Sequence, residues 1–334
     1  MKKIIIGKND AGQRLDKFLA KAFPALPGSL MQRAIRRKRV KKNGQRSHHT
    51  DFLCEGDVLD LYINDEWLET TKKTQKNARL SEPGTGTMDF SVVYEDEHLL
   101  IVNKPEGLPV HAHSGSGDDL VAQILRYLIC TGGYDPMAEQ SFTPAVANRL
   151  DKNTEGLVIA VKTAPAARFI NEKIRLHEIE KKYLAITHGI FSEPAGSIRT
   201  FLAKDTANNM VRLSAHPAPG AKEAITHYRI LQQAGDLSLV ECVLETGRTH
   251  QIRTHLAHVG HPILGDQKYG NPQKNKSFPH RNQALCAWKL RFCFADCPPE
   301  FQYLRGMEFT VDPDDFKRRY NAFFSGEKKC RKND

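Results

Sequence analysis

The apolar positions of this chain change period several times, and each change marks an element. Near the start, "KKIIIG" is a short run of strand type. In "AGQRLDKFLAKAFPAL", Leu15, Phe18, Leu19 and Ala22 recur at helical spacing, which predicts an amphipathic helix. "GSLMQRAIRRK" predicts a second helix with Ser29 as its N-cap. Asn43-Gly44 predicts a hairpin turn, and "CEGDVLDLYI" alternates as a half-buried strand does. Residues 64–88 then lose all periodicity. They are rich in Thr, Lys and Gly and include Pro83 and Gly84, so a flexible linker is expected there.

Periodicity returns at residue 89. "DFSVVYEDEHLLIVNKP" predicts two short strands broken by an acidic turn, and "LVAQILRYLI" a helix. "LVIAVK" predicts a buried strand, "APAARFINEKIRL" a helix and "KKYLAITHGIF" a strand. "AITHYRILQQAGDLSLVECVLETG" predicts two strands around Gly235-Asp236. "THQIRTHLAHVG" predicts a helix ending at Gly260, with Ile252, Leu256 and Val259 as its buried stripe and His255 and His258 on other faces. Strands and helices alternate without a regular βαβ period, so the expectation is an α+β fold on a mixed, mainly antiparallel sheet. The domains expected are 1–63, the linker 64–88, a large domain over 89–325, and a frayed basic tail over 326–334.

Composition narrows the picture. At 334 residues, with 40% hydrophobic and 26% charged positions, the chain suits one ordinary domain plus a smaller module. No apolar run reaches membrane-spanning length, and the opening "MKKIIIGKND" is too short in apolar residues for a signal peptide, so a cytoplasmic location is expected. The seven cysteines are scattered and form no C-x-x-C pair, which favours reduced thiols over disulfides or zinc.

Charge adds a partner. Residues 1–63 hold 14 Lys/Arg against 6 Asp/Glu, so this stretch carries +8 of the total +10. "LMQRAIRRKRVKKNGQR" holds eight basic residues and no acid. Such a surface serves phosphate neutralisation with counterion release. Arg33, Arg36, Arg37, Lys38, Arg39, Lys41 and Lys42 are the candidate phosphate contacts. "RLDKFLA", "SLMQRAIRRKRVKKNG" and "EGDVLDL", within residues 14–63, resemble the small alpha-L RNA-binding fold, which implies RNA binding and not catalysis.

The chemistry is narrowed by elimination first. "HSGSGDD" lacks G-x-G-x-x-G spacing and reads as a surface turn, no P-loop is present, and no nucleotide cofactor is expected. His250, His255, His258 and His261 cluster, but the zincin spacing is absent and no acid lies in the helix, so no metal is expected. There is no G-x-S-x-G. Arg253 falls at the border of the buried stripe, where it either snorkels to solvent or meets a buried carboxylate; composition alone favours snorkelling. Asp151, in "ANRLDKNTEG" before a buried strand, either caps a turn or reacts. Beside Arg149 its charged form would be favoured, which suits nucleophilic attack on an electrophilic carbon.

Three ordered blocks separate these readings. "VVYEDEHLLIVNKPEGLPVH", "NRLDKNTEGLVIAVKT" and "GRTHQIRTHLAHVGHPILGDQKYG", with "EKKYLAITHG" between the last two, resemble the RluA-type pseudouridine synthases over nearly all of residues 90–325. The resemblance implies the pseudouridine synthase fold and a uridine in RNA as substrate, most readily large-subunit ribosomal RNA given the basic module. It implies no cofactor and no metal. Asp151 matches the catalytic aspartate, Tyr183 the active-site tyrosine that stacks on the base, and Arg253 the basic residue paired with the aspartate. Arg149 matches the arginine linked to extruding the nucleotide, though it could instead salt-bridge near Asp151. Arg248 and His250, from the third block, join the expected RNA contacts. Asn148 stands where relatives usually carry histidine, and Glu155 where they carry a small serine. A transfer-RNA target, or an inactive RNA-binding assembly factor, are the alternatives; a monomer is expected.

Overall fold

The computed structural model describes residues 1–68, 87–111, 118–205, 208, 210–276, 278 and 282–324. Most of the expected linker, most of "HSGSGDD" and the expected tail lie outside the described residues.

The first residues build a small sheet and two helices. β1 (Lys2–Ile5), β2 (Val40–Lys42), β3 (Gln45–Arg46) and β4 (Val58–Leu61) form a sheet in the order β1-β4-β2-β3. Asn43 and Gly44, at φ 52° and 75°, make the β2–β3 turn, a backbone form that this residue pair adopts readily. α1 (Leu15–Ala22) buries Leu15, Phe18, Leu19 and Ala22, the four positions its spacing marked. α2 (Gly28–Arg36) buries Met31, Ala34 and Ile35. Its cap is Pro27 and not Ser29: the ring fixes φ at −61°, so the chain enters the helix directly after it and Ser29 falls in the first turn. The basic side chains take the opposite face. Arg33, Arg36, Arg37, Lys38 and Arg39 are exposed and, among the described residues, have no carboxylate partner. Lys42 is engaged internally, donating to Asp57 at 3.2 Å and to the Phe52 carbonyl at 3.0 Å. Lys41 lies 5.5 Å over the Tyr62 ring.

Among the described residues the larger sheet has eleven strands. They are β5 (Ser91–Glu95), β6 (Leu99–Lys104), β7 (Ala145–Val146), β8 (Glu155–Val161), β9 (Ile179–His188), β10 (Ala195–Asp205), β11 (Met210–Ser214), β12 (Lys222–Ala234), β13 (Leu237–Leu244), β14 (Leu285–Phe292) and β15 (Glu308–Thr310). The main order is β11-β10-β12-β13-β9-β14-β8-β6-β5, with β15 on β14 and β7 on β8. β14 and β8 run parallel; the other pairings are antiparallel. The helices are α3 (Leu120–Cys130), α4 (Ala164–Arg175), α5 (Gln251–His258), the short α6 (Pro272–Asn275) and α7 (Pro313–Phe324). β6 and β8 are covered on both faces, which explains their continuous apolar runs. Leu100, Val102, Val158 and Ala160 join one core, and Leu99, Ile101, Leu157 and Ile159 the other.

Three cores result. One draws only on residues 4–68, while the two flanking the large sheet draw on residues between 90 and 320. No helix among the described residues is long and apolar enough to cross a membrane.

Candidate active site

Asp151 sits in a short loop that enters β8, and several side chains fix that loop. Asp151 O accepts from Thr154 N at 3.0 Å, closing a turn. The Asn148 amide imitates a strand partner: its Oδ1 accepts from Ile159 N at 2.7 Å and its Nδ2 donates to Leu157 O at 3.2 Å. Gln283 Nε2 donates to Thr154 Oγ1 at 3.1 Å. Lys104 is fully buried, and its Nζ donates to the carbonyls of Pro105, Leu108 and Lys152 at 2.8, 2.8 and 3.0 Å. It therefore ties the loop after β6 to the residue following Asp151. Burial lowers its pKa to about 8, against the opposing charges of Glu155 and Asp151.

Gly156 makes the close passage of β14 possible. At φ 113°, a Cβ here would lie 2.3 Å from the Ala287 carbonyl oxygen, so only glycine lets the parallel pairing Ala287↔Gly156 form. Glu155, beside it, is half-buried and ion-paired with Arg319 of α7. Burial raises its pKa even against the Arg319 charge.

Arg253, on α5, meets Asp151 across the pocket. Its Nη1 donates to Asp151 Oδ2 at 2.7 Å, while Nε and Nη2 donate to Asp266 Oδ2 and Oδ1 at 2.7 and 2.8 Å. The guanidinium is thus buried between two carboxylates and does not snorkel, the outcome composition alone favoured. The reason lies in Asp266, fully buried and also accepting from the N–H groups of Lys268 and Tyr269. Burial works against the arginine's charge, but Asp266 and then Asp151 more than offset it, and the Arg253 pKa is raised. Asp266 is held low: burial would raise it, and Arg253 outweighs that. Asp151 remains about a quarter exposed, which leaves it open to the pocket.

The pocket has a volume of about 420 Å³, and Arg149, Asp151, Tyr183, Arg248, His250 and Arg253 all line it. Tyr183 projects from β9, opposite Ala287 of β14 and Cys242 of β13. Burial, then the Asp151 charge, raises its pKa, so its phenol keeps its proton at neutral pH. His250 caps α5 at φ 53°, with Nδ1 2.8 Å from the Tyr269 hydroxyl and Nε2 3.9 Å from Asp151. Burial and the Arg253 charge outweigh Asp151 and lower its pKa. Arg149 is exposed on the rim and makes no ion pair with Asp151; the salt bridge allowed by the sequence is taken by Arg253. Arg33 to Lys42, on the small module, do not line this pocket.

The α5 stripe needs correction at two positions. Val259 is exposed, while His255 is fully buried, with Nε2 and Nδ1 each 2.9 Å from the hydroxyls of Thr200 and Thr226. The helix is packed on two sides, so burial extends around it and includes Gln251, Arg253 and Thr254. His261 stacks on Phe191 at 3.7 Å.

Sequence reasoning missed Asp266, Tyr269 and Lys104. Asp266 and Tyr269 lie inside the third block, in "GDQKYG", and Lys104 inside the first, but nothing in their spacing announces a pairing with Arg253, His250 or the Asp151 loop.

A partly exposed carboxylate is thus clamped by a buried arginine beside a buried tyrosine on a mixed sheet, with a basic module appended. The comparisons with known proteins give the family. The family model described as RNA pseudouridylate synthase matches residues 98–258. Ribosomal large subunit pseudouridine synthase D of Haemophilus influenzae is 31% identical over 322 residues, covering 93% of this chain and 91% of that protein. Ribosomal large subunit pseudouridine synthase C of Buchnera aphidicola is 34% identical, covering 79% of each. The solved structure of human RNA pseudouridylate synthase domain containing 4 is similar with a TM-score of 0.54 at 22% identity, covering 76% of this chain, a likeness of fold. The chain belongs to the RNA pseudouridylate synthase family and is an RNA pseudouridine synthase with that family's α+β fold.

Proposed function

We propose that the protein isomerises specific uridines of large-subunit ribosomal RNA, working as a monomer in the cytoplasm. The observation that carries the reading is the Asp151–Arg253–Asp266 chain on the pocket wall, with Tyr183 beside it. Similarity over most of the chain to enzymes named for the large ribosomal subunit supports the target.

In this reading the uridine leaves its stack to reach the pocket, and the exposed Arg149 guanidinium fills the vacated space by stacking. Asp151 attacks the nucleotide and the N-glycosidic bond breaks. The uracil rotates, a carbon–carbon bond forms between the sugar and carbon 5, and the carbon-5 proton is removed as Asp151 is released. Arg253 keeps the carboxylate aimed. Tyr183 stacks on the base; because its phenol is protonated, its oxygen accepts the carbon-5 proton only as its own proton departs to water, and N1 of the uracil, freed from the sugar, takes up one proton from water. The isomerisation involves no net redox change. Residues 1–63 act as an RNA-binding domain, residues 64–88 as a linker, and residues 89–325 carry the catalysis.

Asp151→Asn tests the chemistry. The variant is expected to melt within a few degrees of the parent and to release no tritium from RNA carrying 5-tritiated uracil, where the parent does. Residual release at a tenth of the parental rate would remove Asp151 from the role. The target is tested by mapping pseudouridines with carbodiimide and primer extension in a deletion strain. Loss of one or more stops in large-subunit RNA is expected; an unchanged ribosomal map with a lost stop in transfer RNA would move the substrate there.

A further inference from the structure

The edge of the large sheet beyond the catalytic pocket sorts its charges by face. Lys204 lies opposite Val211, and Leu202 lies opposite Lys222 and Leu213. Since side chains alternate along a strand, Leu202, Lys204, Val211 and Lys222 share one face. The acids of these strands take the other face, with their own cations: Asp205 pairs with Arg212 at 2.7 Å and Glu223 with Arg199 at 2.8 Å. Lys204 and Lys222 have no carboxylate partner among the described residues.

This face forms one wall of a groove of about 290 Å³, closed on the other side by Arg248 and Thr249. Leu202 and Val211 make an apolar floor packed against Tyr269. The groove is continuous with the catalytic pocket, because Gly247, Arg248 and Thr249 line both. Arg248 is held at the junction by its Nε, which donates to the Glu223 carbonyl at 3.0 Å and leaves the two Nη groups available. Tyr269 joins the two spaces from below: its hydroxyl accepts from Val211 N at 2.8 Å and meets His250 Nδ1 at 2.8 Å.

Three exposed cations without a carboxylate, above an apolar floor and opening into the pocket, match a sugar-phosphate strand. We infer that this groove holds the RNA backbone beside the target nucleotide, with Lys204 and Lys222 on successive phosphates and Arg248 on the phosphate at the pocket mouth. The inference rests on the reading that the pocket takes a uridine from an RNA strand, and it adds a phosphate track separate from the basic α2 face.

The test is Lys204→Gln with Lys222→Gln in the full chain, assayed by tritium release from large-subunit ribosomal RNA transcribed with 5-tritiated uridine. Binding of the same RNA is measured in parallel against salt. The salt slope should become shallower by about 0.7 per lost contact, about 1.4 for the pair, with KM raised about tenfold and kcat within about twofold. A second double variant, Lys289→Gln with Lys317→Gln, removes the same charge from lysines already paired with Glu308 and Asp314, and should leave the slope unchanged. A parental slope and KM in the groove variant, an equal loss in the control variant, or a fall in kcat alone would each overturn the inference. A parent protein that releases no tritium would instead count against the proposed function, and the two slopes would still judge the groove.

Discussion

Arg253 has three donor positions in use, and their division explains why a second carboxylate is present. Asp266 takes Nε and Nη2 in a bidentate grip, which leaves Nη1 as the group facing Asp151. A guanidinium bound by Asp151 alone would be free to swing about one bond. The bidentate pair removes that freedom because both fork donors are fixed in plane. In the proposed reaction Asp266 is then a positioning residue, acting on Asp151 through Arg253. Asp266→Asn should lower kcat by about 10²-fold, the cost of roughly 1 Å of misplacement, with KM little changed. A change in KM alone would assign Asp266 to binding. Arg253→Lys should not restore activity, since an ammonium has no planar fork to serve both carboxylates. The same scale accounts for Asn148: its amide bonds to the β8 backbone at both ends, which holds the loop before Asp151.

At the scale of elements, α5 is the piece on which the site depends, and it is unusual in being buried almost all round. Its His255 is held neutral: burial lowers the pKa to about 4, and the two ring nitrogens are occupied by Thr200 and Thr226. The folded-state value lies below the ordinary 6.5, so the unfolded chain binds the proton more tightly. Stability from this group is complete above about pH 6.5 and is lost as pH falls through about 4, by up to about 3 kcal/mol. Melting temperatures measured from pH 7 to 4 should fall, and His255→Gln should flatten that part of the profile; an unchanged profile would show that other groups control acid unfolding. Sequence periodicity identified α1, α2, β5, β6, β8, β9 and the β12–β13 hairpin because each buries residues at its own local period. It could not find β14, whose place between β9 and β8 depends on Gly156 accepting a strand more than a hundred residues away. Nor could it find the Glu155–Arg319 pair, in which α7 supplies the cation beside a half-buried glutamate. That Asp151, Tyr183 and Arg253 would share one pocket was legible through the ordered blocks; Asp266 was not, because a partner thirteen residues away along an irregular loop has no period.

At the scale of the whole molecule, the small module meets the larger body through polar contacts from one loop. Asp10 Oδ1 accepts from Ser141 N at 3.0 Å and from its hydroxyl at 2.5 Å, Asn9 Oδ1 accepts from Ala164 N at 3.0 Å, and Gln13 Nε2 donates to Ser141 Oγ at 2.9 Å. No apolar residue is shared between the module's core and those of the large sheet. Removing residues 1–68 therefore exposes groups that water can satisfy and leaves both large cores whole. The shortened chain should unfold in one transition near the parental temperature. Its kcat on saturating RNA should stay within about threefold, since Asp151, Arg253, Asp266 and Tyr183 all remain. What it loses is basic surface: Arg33, Arg36, Arg37, Lys38 and Arg39 are among the exposed cations that go. If most of them meet phosphates, the slope of log binding constant against log salt should become shallower by about 0.7 to 0.9 for each. A shallower slope with unchanged kcat would make the module an anchor that raises the local concentration of RNA at the pocket. An unchanged slope would instead place the phosphate contacts on the large domain, where the Lys204, Lys222 and Arg248 groove is the available surface.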